Sequence, residues 1–235
     1  MTEIKPITMP GTHQNFFKYF KKFSYDKSNK ILDVGAGHGA FTKRLFDMGY
    51  DVSACDLFPE IFMFDKIECK KTDVTKKFPY PDNSFDIAIA IEVSEHIIGH
   101  ELFFKELSRI LKPNGQLYLS TPNILSLKSR IRFLFRGFNY SFGPLDMHNY
   151  DGLQHVSSLT LDQYNYVAIK NGFKKAKFEI DKKQKSSTWL FFLLFPFMWL
   201  NSKIKNATNF HNHKKLLLGR LLFLQFENNK TKNSI

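Results

Sequence analysis

Residues 31–39 read ILDVGAGHG, an apolar run that ends in an acid, Asp33, and then places Gly35, Gly37 and Gly39 at every second position. Few local structures accept that order. The apolar residues suit a buried strand, and the glycines let the chain turn sharply and bring bare backbone against a ligand. Behind them, residues 40–48 carry Phe41, Leu45 and Met48 at helical spacing, with Gly49 as a C-terminal stop. A strand, a glycine turn and a helix form the first half of a βαβ unit.

The alternation continues. Residues 30–34, 51–55, 67–69, 85–91 and 116–120 read as five strands, and FDIAIAI at 85–91 is nearly all apolar, as in a parallel strand covered on both faces. Residues 101–111 place Phe103, Phe104, Leu107, Ile110 and Leu111 on one helical stripe before Lys112-Pro113-Asn114-Gly115 ends it. This order predicts an α/β fold, a mostly parallel sheet with helices on both faces. A chain of 235 residues makes one such domain, 1–235, with room for insertions. Two insertions are expected. Residues 124–158 form an active-site cap: a helix over 124–138, with Leu127, Ile131, Leu134 and Phe138 on one side and Lys128, Arg132 and Arg136 on another, then a loop. After a helix at 160–170, residues 185–219 form an apolar insertion between two last strands, 173–180 and 220–227.

Two more acids follow at strand ends. Asp56 closes the second strand, 21 residues beyond Gly35, where an acid takes a ribose diol. Asp73 follows the third strand, where it would accept from an adenine amino group. The glycine spacing is GxGxG, not the GxGxxG of dinucleotide sites, and Asp33 would repel a pyrophosphate. Any one of these features is more often a turn or a cap. Three in order, at successive strand ends, mark a nucleoside-binding edge.

ILDVGAGHG, the acid in ACDLFPE, FPYPDNSFDIAIAIEVSEHI and RILKPNGQLYLSTPN together resemble the class I S-adenosylmethionine-dependent methyltransferases, over residues 28–123. The resemblance implies a Rossmann-like sheet of seven strands with the last one antiparallel. It implies that Asp33, Gly35, Gly37 and Gly39 hold the methionine part of S-adenosylmethionine, Asp56 the ribose and Asp73 the adenine edge. Leu57, Val74 and Glu92 complete the cofactor set. Residues 120–173 are similar, less specifically, to a narrower group that methylates cell-surface polysaccharides, lipid-linked sugars or quinones.

Methyl transfer to a hydroxyl gains from a general base. Glu92, Glu95 and His96 follow the fourth strand, where a parallel sheet presents its functional edge. If Glu92 opens a helix there, the i, i+3, i+4 spacing puts all three on one face. Three readings stand open. Glu92, Glu95 and His96 form a divalent-metal cluster, as a similar E-x-x-E-H run in quinone O-methyltransferases suggests. Alternatively His96, with Glu95, serves as a metal-free base. In the third, Glu92 touches cofactor while Glu95 and His96 cap a helix or bond locally. His155, on the loop before 160–170, is a further candidate base or substrate ligand, weighed against an ordinary loop histidine. Cys55 and Cys69 read as core thiols of a reducing compartment.

The net charge of +12 is unevenly spread: residues 1–121 hold 16 Lys and Arg against 16 Asp and Glu, and 122–235 hold 18 against 6. The back half alone therefore faces something anionic, namely a phospholipid surface, a phosphorylated substrate or a nucleic acid, or else is simply a solvated basic surface. WLFFLLFPFMWL at 189–200 would run about 18 Å as a helix against a bilayer core of about 30 Å, so it is too short to span. Its terminal tryptophans and the flanking Lys182, Lys183 and Lys185 suit an interfacial position; a helix packed on the sheet and a dimer contact are the alternatives. The segment MTEIKPITMPGTHQ has no apolar signal core, which places the chain in the cytoplasm, with peripheral contact at the inner face of the membrane. The expected function is O-methylation of a small or lipid-linked acceptor: a cell-surface sugar, a lipid or a quinone. An RNA methyltransferase is one rival, though IEVSEH stands where an NPPY-like tetrapeptide would be, so nucleic acid is not the expected partner. A non-catalytic S-adenosylmethionine-binding protein is the other, opposed only by the intact cofactor motifs.

Overall fold

Seven strands pair into one sheet: β1 (Lys30–Val34), β2 (Asp51–Asp56), β3 (Cys69–Lys71), β4 (Phe85–Ile91), β5 (Leu111–Pro122), β6 (Lys177–Ile180) and β7 (Leu221–Glu227). Their spatial order is β3-β2-β1-β4-β5-β7-β6. The first five run parallel, and β7 is inserted antiparallel to both β5 and β6. The structure, a computed structural model, describes residues 4–205 and 210–230. Residues 206–209 of the apolar insertion and the start of the N-terminal segment lie outside the described residues.

Side-chain alternation along β1 explains the two cores. Leu32 and Val34 face one side, with Ala88, Ala90, Leu117 and Leu119 of neighbouring strands. Helices α3 (His100–Ile110) and α5 (Leu161–Lys170) cover that side through Phe103, Phe104, Leu107, Tyr164 and Ala168. Ile31 faces the other way, with Ile87, Ile89 and Tyr118, under α1 (Thr12–Phe20) and α2 (Ala40–Asp47). Both faces of the parallel strands are thus buried, as their apolar runs require.

Several predicted elements shift. The edge strand β3 begins two residues late, because its exposed Lys70 and Lys71 pair with β2 while Ile67 packs before it. Strand β5 begins at Leu111 rather than at 116, with a register irregularity between Phe85 and Ile87 on its neighbour. Phe173 makes only an isolated bridge to Asn228 ahead of β6. The predicted 124–138 helix is α4 (Leu127–Arg136), started by the Ser126 hydroxyl accepting from Ser129 N and stopped by Gly137. Its predicted apolar side is not a buried stripe: Leu127 is buried, but Leu134 is 73% exposed. The apolar insertion forms α6 (Lys185–Lys205) and a short α7 (Lys214–Leu218). Helix α6 does not pack into the sheet, since Trp189 and Phe192 are exposed. Among the described residues no helix is long and apolar enough to cross a membrane.

The chain leaves β1 toward β2 on one side and reaches β4 on the other. That reversal opens a crevice at the carboxyl ends of the parallel strands, where ligands of such sheets bind.

Candidate active site

A cavity of about 650 Å³ occupies this crevice. Its floor is the glycine turn after β1. Gly35 has φ +69°, and a Cβ there would lie 2.4 Å from Val93 Cγ2, so no other residue fits without moving the chain after β4. The amides of Gly35 and Ala36 donate to the Cys55 carbonyl at 2.8 and 3.1 Å, which fixes the turn against β2. Gly39 does not line the cavity; it precedes α2, and its missing Cβ makes room for the Phe62 ring. Its lack of a side chain therefore serves packing against Phe62.

The acids differ in their surroundings. Asp33 is buried, accepts from the Thr42 hydroxyl at 2.6 Å, and is pushed up to about 6, chiefly by burial, with the Asp56 charge adding to it. A cation brought beside such a carboxyl would favour its ionised form. Asp56 accepts from Gly37 N at 2.8 Å and from Phe58 N at 2.9 Å, tying the glycine turn to the chain after β2. Asp73 accepts from the Thr75 amide and hydroxyl and pairs with Lys76 at 3.0 Å, so it caps a turn at the cavity rim. Leu57 and Val74 also line the cavity.

Glu92 does not open a helix. Its φ is +58°, its amide donates to the Ser120 carbonyl at 3.0 Å, and its Oε1 accepts from the Ser120 hydroxyl at 3.3 Å. Only one helical turn, Ser94–His96, follows before α3, so the predicted single helical face of Glu92, Glu95 and His96 is absent. A different trio converges. Potential ligand atoms of Glu95, His96 and His155 all lie within 4.8 Å of one another. The His155 loop is held there because the Glu95 carbonyl accepts from Val156 N and Ser157 N, at 2.9 and 3.2 Å.

His96 and His155 line the cavity with ring centroids 4.8 Å apart. His96 Nδ1 meets the Gln154 carbonyl at 3.1 Å and His155 Nδ1 meets the Ser141 carbonyl at 2.8 Å. A carbonyl only accepts, so both Nδ1 atoms carry the proton and both Nε2 atoms keep a lone pair. Burial lowers both imidazoles below the usual histidine range, and for His96 the neighbouring His155 adds to the effect. Glu95 lies behind them, fully buried, with no hydrogen-bonding partner for either carboxyl oxygen. Burial first, and the Glu92 charge second, push its carboxyl well above the carboxylate range; the nearby Thr121 hydroxyl opposes this only in part.

Three comparisons bear on this arrangement. A methyltransferase-domain family profile matches residues 32–119, the stretch from β1 through most of β5. The chain is 28% identical to the ubiquinone biosynthesis O-methyltransferase of Pelagibacter ubique, over 70% of this chain and 73% of that protein. It is 30% identical to the human mitochondrial ubiquinone biosynthesis O-methyltransferase, but over 57% of this chain and only 39% of that one. An S-adenosylmethionine-dependent methyltransferase from Archaeoglobus fulgidus shares the fold, with a TM-score of 0.63 at 16% identity over 92% of both chains. This chain is a class I S-adenosylmethionine-dependent methyltransferase. The sheet order, with its antiparallel β7, is the fold of that class, and S-adenosylmethionine is the cofactor.

Two parts of the methyltransferase's cavity wall had no sequence motif. Arg220 is buried at the entry to β7, pairs with Asp181 at 2.6 Å and donates to the Thr12 hydroxyl at 3.0 Å. It faces Glu92, whose carboxyl is raised by burial and pulled back by this guanidinium. The only signal in the sequence was an arginine at the start of an otherwise apolar strand. The second part is the N-terminal segment, where Ile7 and Met9 ahead of α1 and His13 in its first turn line the cavity. Its amphipathic helix was legible in principle from Phe16, Tyr19 and Phe20.

Proposed function

We propose that the methyltransferase O-methylates a hydroxyl of a small or lipid-linked acceptor, of the phenolic quinone-precursor type, at the wall formed by His96 and His155. The observation that carries this reading is the pair of imidazoles on the cavity wall, each held by a backbone carbonyl through Nδ1. The ubiquinone biosynthesis relatives support the acceptor class.

The cofactor supplies its methyl group as part of a sulfonium. The chain's residues bind, orient and manage the proton. Asp33 faces the cavity as a buried acid that a positively charged amino group would hold ionised. Each Asp56 oxygen accepts one backbone amide and retains capacity for a ribose hydroxyl. Gly35 and Gly37 provide backbone without side chain between these acids, and Leu57, Asp73, Val74 and Glu92 close the same side. Across the cavity, an unprotonated Nε2 on His96 or His155 takes the proton of the acceptor hydroxyl as the oxygen gains its methyl group. The low basicity of both rings keeps them in the base form at neutral pH.

A second reading uses the same residues. Glu95, His96 and His155 offer one carboxylate and two imidazoles at mutual metal-ligand spacing, and the orphaned Glu95 carboxyl fits a cation. A divalent metal held by these three would act as a Lewis acid on the acceptor hydroxyl.

The test is a panel of acceptors with labelled S-adenosylmethionine: catechols with and without a polyprenyl tail, lipid-linked sugars, and matched amines. Label transferred to a hydroxyl, lost when that hydroxyl is replaced by hydrogen, is the expected result. Transfer confined to amine or carbon acceptors would overturn the reading.

A further inference from the structure

We propose that α4 and α6 together form a docking surface for an anionic lipid bilayer. The inference stands on the exposed face alone and holds whatever the acceptor is.

Helix α6 has 21 residues, KSSTWLFFLLFPFMWLNSKIK, with no acidic residue and no polar side from Trp189 to Leu200. An amphipathic helix on a sheet would bury one stripe. Here Trp189 is 66%, Phe192 74%, Phe197 68% and Trp199 53% exposed, while the buried position is Ser187. A helix apolar on all sides belongs inside an apolar medium. Helix α4 extends the surface. It packs beside α6, with Lys128 N donating to the Ser187 hydroxyl at 3.2 Å, and it exposes Phe133, Leu134 and Phe135. Two neighbouring helices thus present one apolar face, larger than the scattered apolar residues of an ordinary surface.

Charge selects the occupant. Residues 182–220 contain no Asp or Glu, and neither do residues 122–145. Lys182, Lys183 and Lys185 are exposed where α6 begins, Lys203 near its end, and Arg136 at the end of α4. Apolar aromatics bounded by tryptophans and rimmed by lysines and arginine match an acyl boundary under anionic headgroups. A second copy of this chain fits worse, because a self-contact through this face would set the same cations against each other. Since α6 does not span a bilayer, the binding is interfacial. The loop after α4 supplies Ser141, Tyr150, Leu153 and His155 to the active-site cavity, so the docked face and the cavity wall are consecutive in the chain.

The chain's two tryptophans, Trp189 and Trp199, both lie on α6, so intrinsic fluorescence reports on this surface without any substitution. Full-length protein is mixed with vesicles of phosphatidylglycerol and phosphatidylcholine, or of phosphatidylcholine alone. With the anionic vesicles we expect co-sedimentation, a blue-shifted emission and quenching by brominated acyl chains, with partial release by high salt. Phe192→Ser with Phe197→Ser should weaken vesicle binding about ten-fold or more, and Lys182→Gln with Lys183→Gln and Lys185→Gln should remove the preference for anionic lipid. Both sets should leave binding of S-adenosylhomocysteine unchanged. Wild-type protein that stays in the supernatant with unshifted emission overturns the proposal, even if the variants do not fold. Equal binding to neutral vesicles overturns its anionic part. A concentration-dependent dimer dissolved by the serine substitutions would assign the face to a second copy instead.

Discussion

Replacing Asp56 by alanine separates two roles that its carboxylate combines. In the structure it anchors Gly37 N and Phe58 N, at 2.8 and 2.9 Å, and it lines the cavity where a ribose would lie. A hydrogen bond to a charged group contributes about 1.5–3 kcal/mol net, and water reaching the freed amides recovers part of that. The loss of both anchors should therefore lower stability by about 2 kcal/mol. A bidentate contact to a diol is worth a similar amount, so affinity for S-adenosylhomocysteine should fall by about 2 kcal/mol, roughly 30-fold. Asp56→Asn keeps one acceptor and the side-chain volume. It should lose about 1 kcal/mol of affinity, roughly five-fold, and about half of alanine's stability loss, because its amide nitrogen cannot accept from the second backbone N–H. Calorimetry with S-adenosylhomocysteine, alongside thermal unfolding of both variants, reads the two effects separately. If alanine lowers the melting temperature while affinity stays within about two-fold of wild type, Asp56 is a loop anchor and the ribose assignment fails.

Three other outcomes follow from the cluster beyond β4. Glu95→Gln should stabilise the metal-free protein, and more so at pH 8 than at pH 5: the folded-state carboxyl is raised above its unfolded value, so the stability cost grows as pH rises from the unfolded pKa toward the folded one. A melting-temperature difference independent of pH would show that Glu95 is not held as a strained acid. His155→Ala should lower kcat about 10²-fold with unchanged affinity for S-adenosylhomocysteine, and a normal kcat would leave the loop histidine without a chemical role. Exhaustive chelation decides between the two readings of the trio: activity lost and restored by Mg²⁺ or Zn²⁺ supports a metal on Glu95, His96 and His155, and full activity after chelation leaves the imidazoles as bases.

Patterns confined to neighbouring residues were legible, and contacts made by distant loops were not. Strands β1, β2 and β4 are mostly apolar segments followed closely by a glycine or an acid, so their limits were read to within a residue. At the edge of the sheet the pattern fails, because β3 pairs through exposed Lys70 and Lys71. The trio shows the stronger limit. Glu92 carries a positive φ that a glutamate does not advertise, and this turns the predicted helical face aside. His96 and His155 are far apart in the chain and meet because the Glu95 carbonyl receives two loop amides. Apolarity of residues 189–200 could not distinguish a buried helix from an exposed one, since the same residues satisfy both until the neighbours are known.

The two walls of the cavity explain why the cofactor was readable and the acceptor is not. The side proposed for the cofactor is built from the ends of β1, β2 and β4, whose positions are fixed by strand pairing on both sides; a ligand held there would require particular residues, a glycine beside Val93 and acids at strand ends. The family match accordingly falls on residues 32–119. The opposite side is built from the 138–158 loop, the N-terminal segment and Arg220; Arg220 is held by the Asp181 and Thr12 side chains, whereas the loop is held mostly through backbone atoms, the Glu95, Gln154 and Ser141 carbonyls. Backbone attachment fixes where a loop lies while leaving its side chains free to vary, so residues such as Tyr150 and Leu153 can change with the acceptor at no cost to the sheet. The same freedom extends to α4 and α6, whose outer faces make no contribution to either core. On the proposed readings, surface docking and much of the acceptor wall would lie in the basic half of the chain, with the N-terminal segment and His96 completing that wall from outside it.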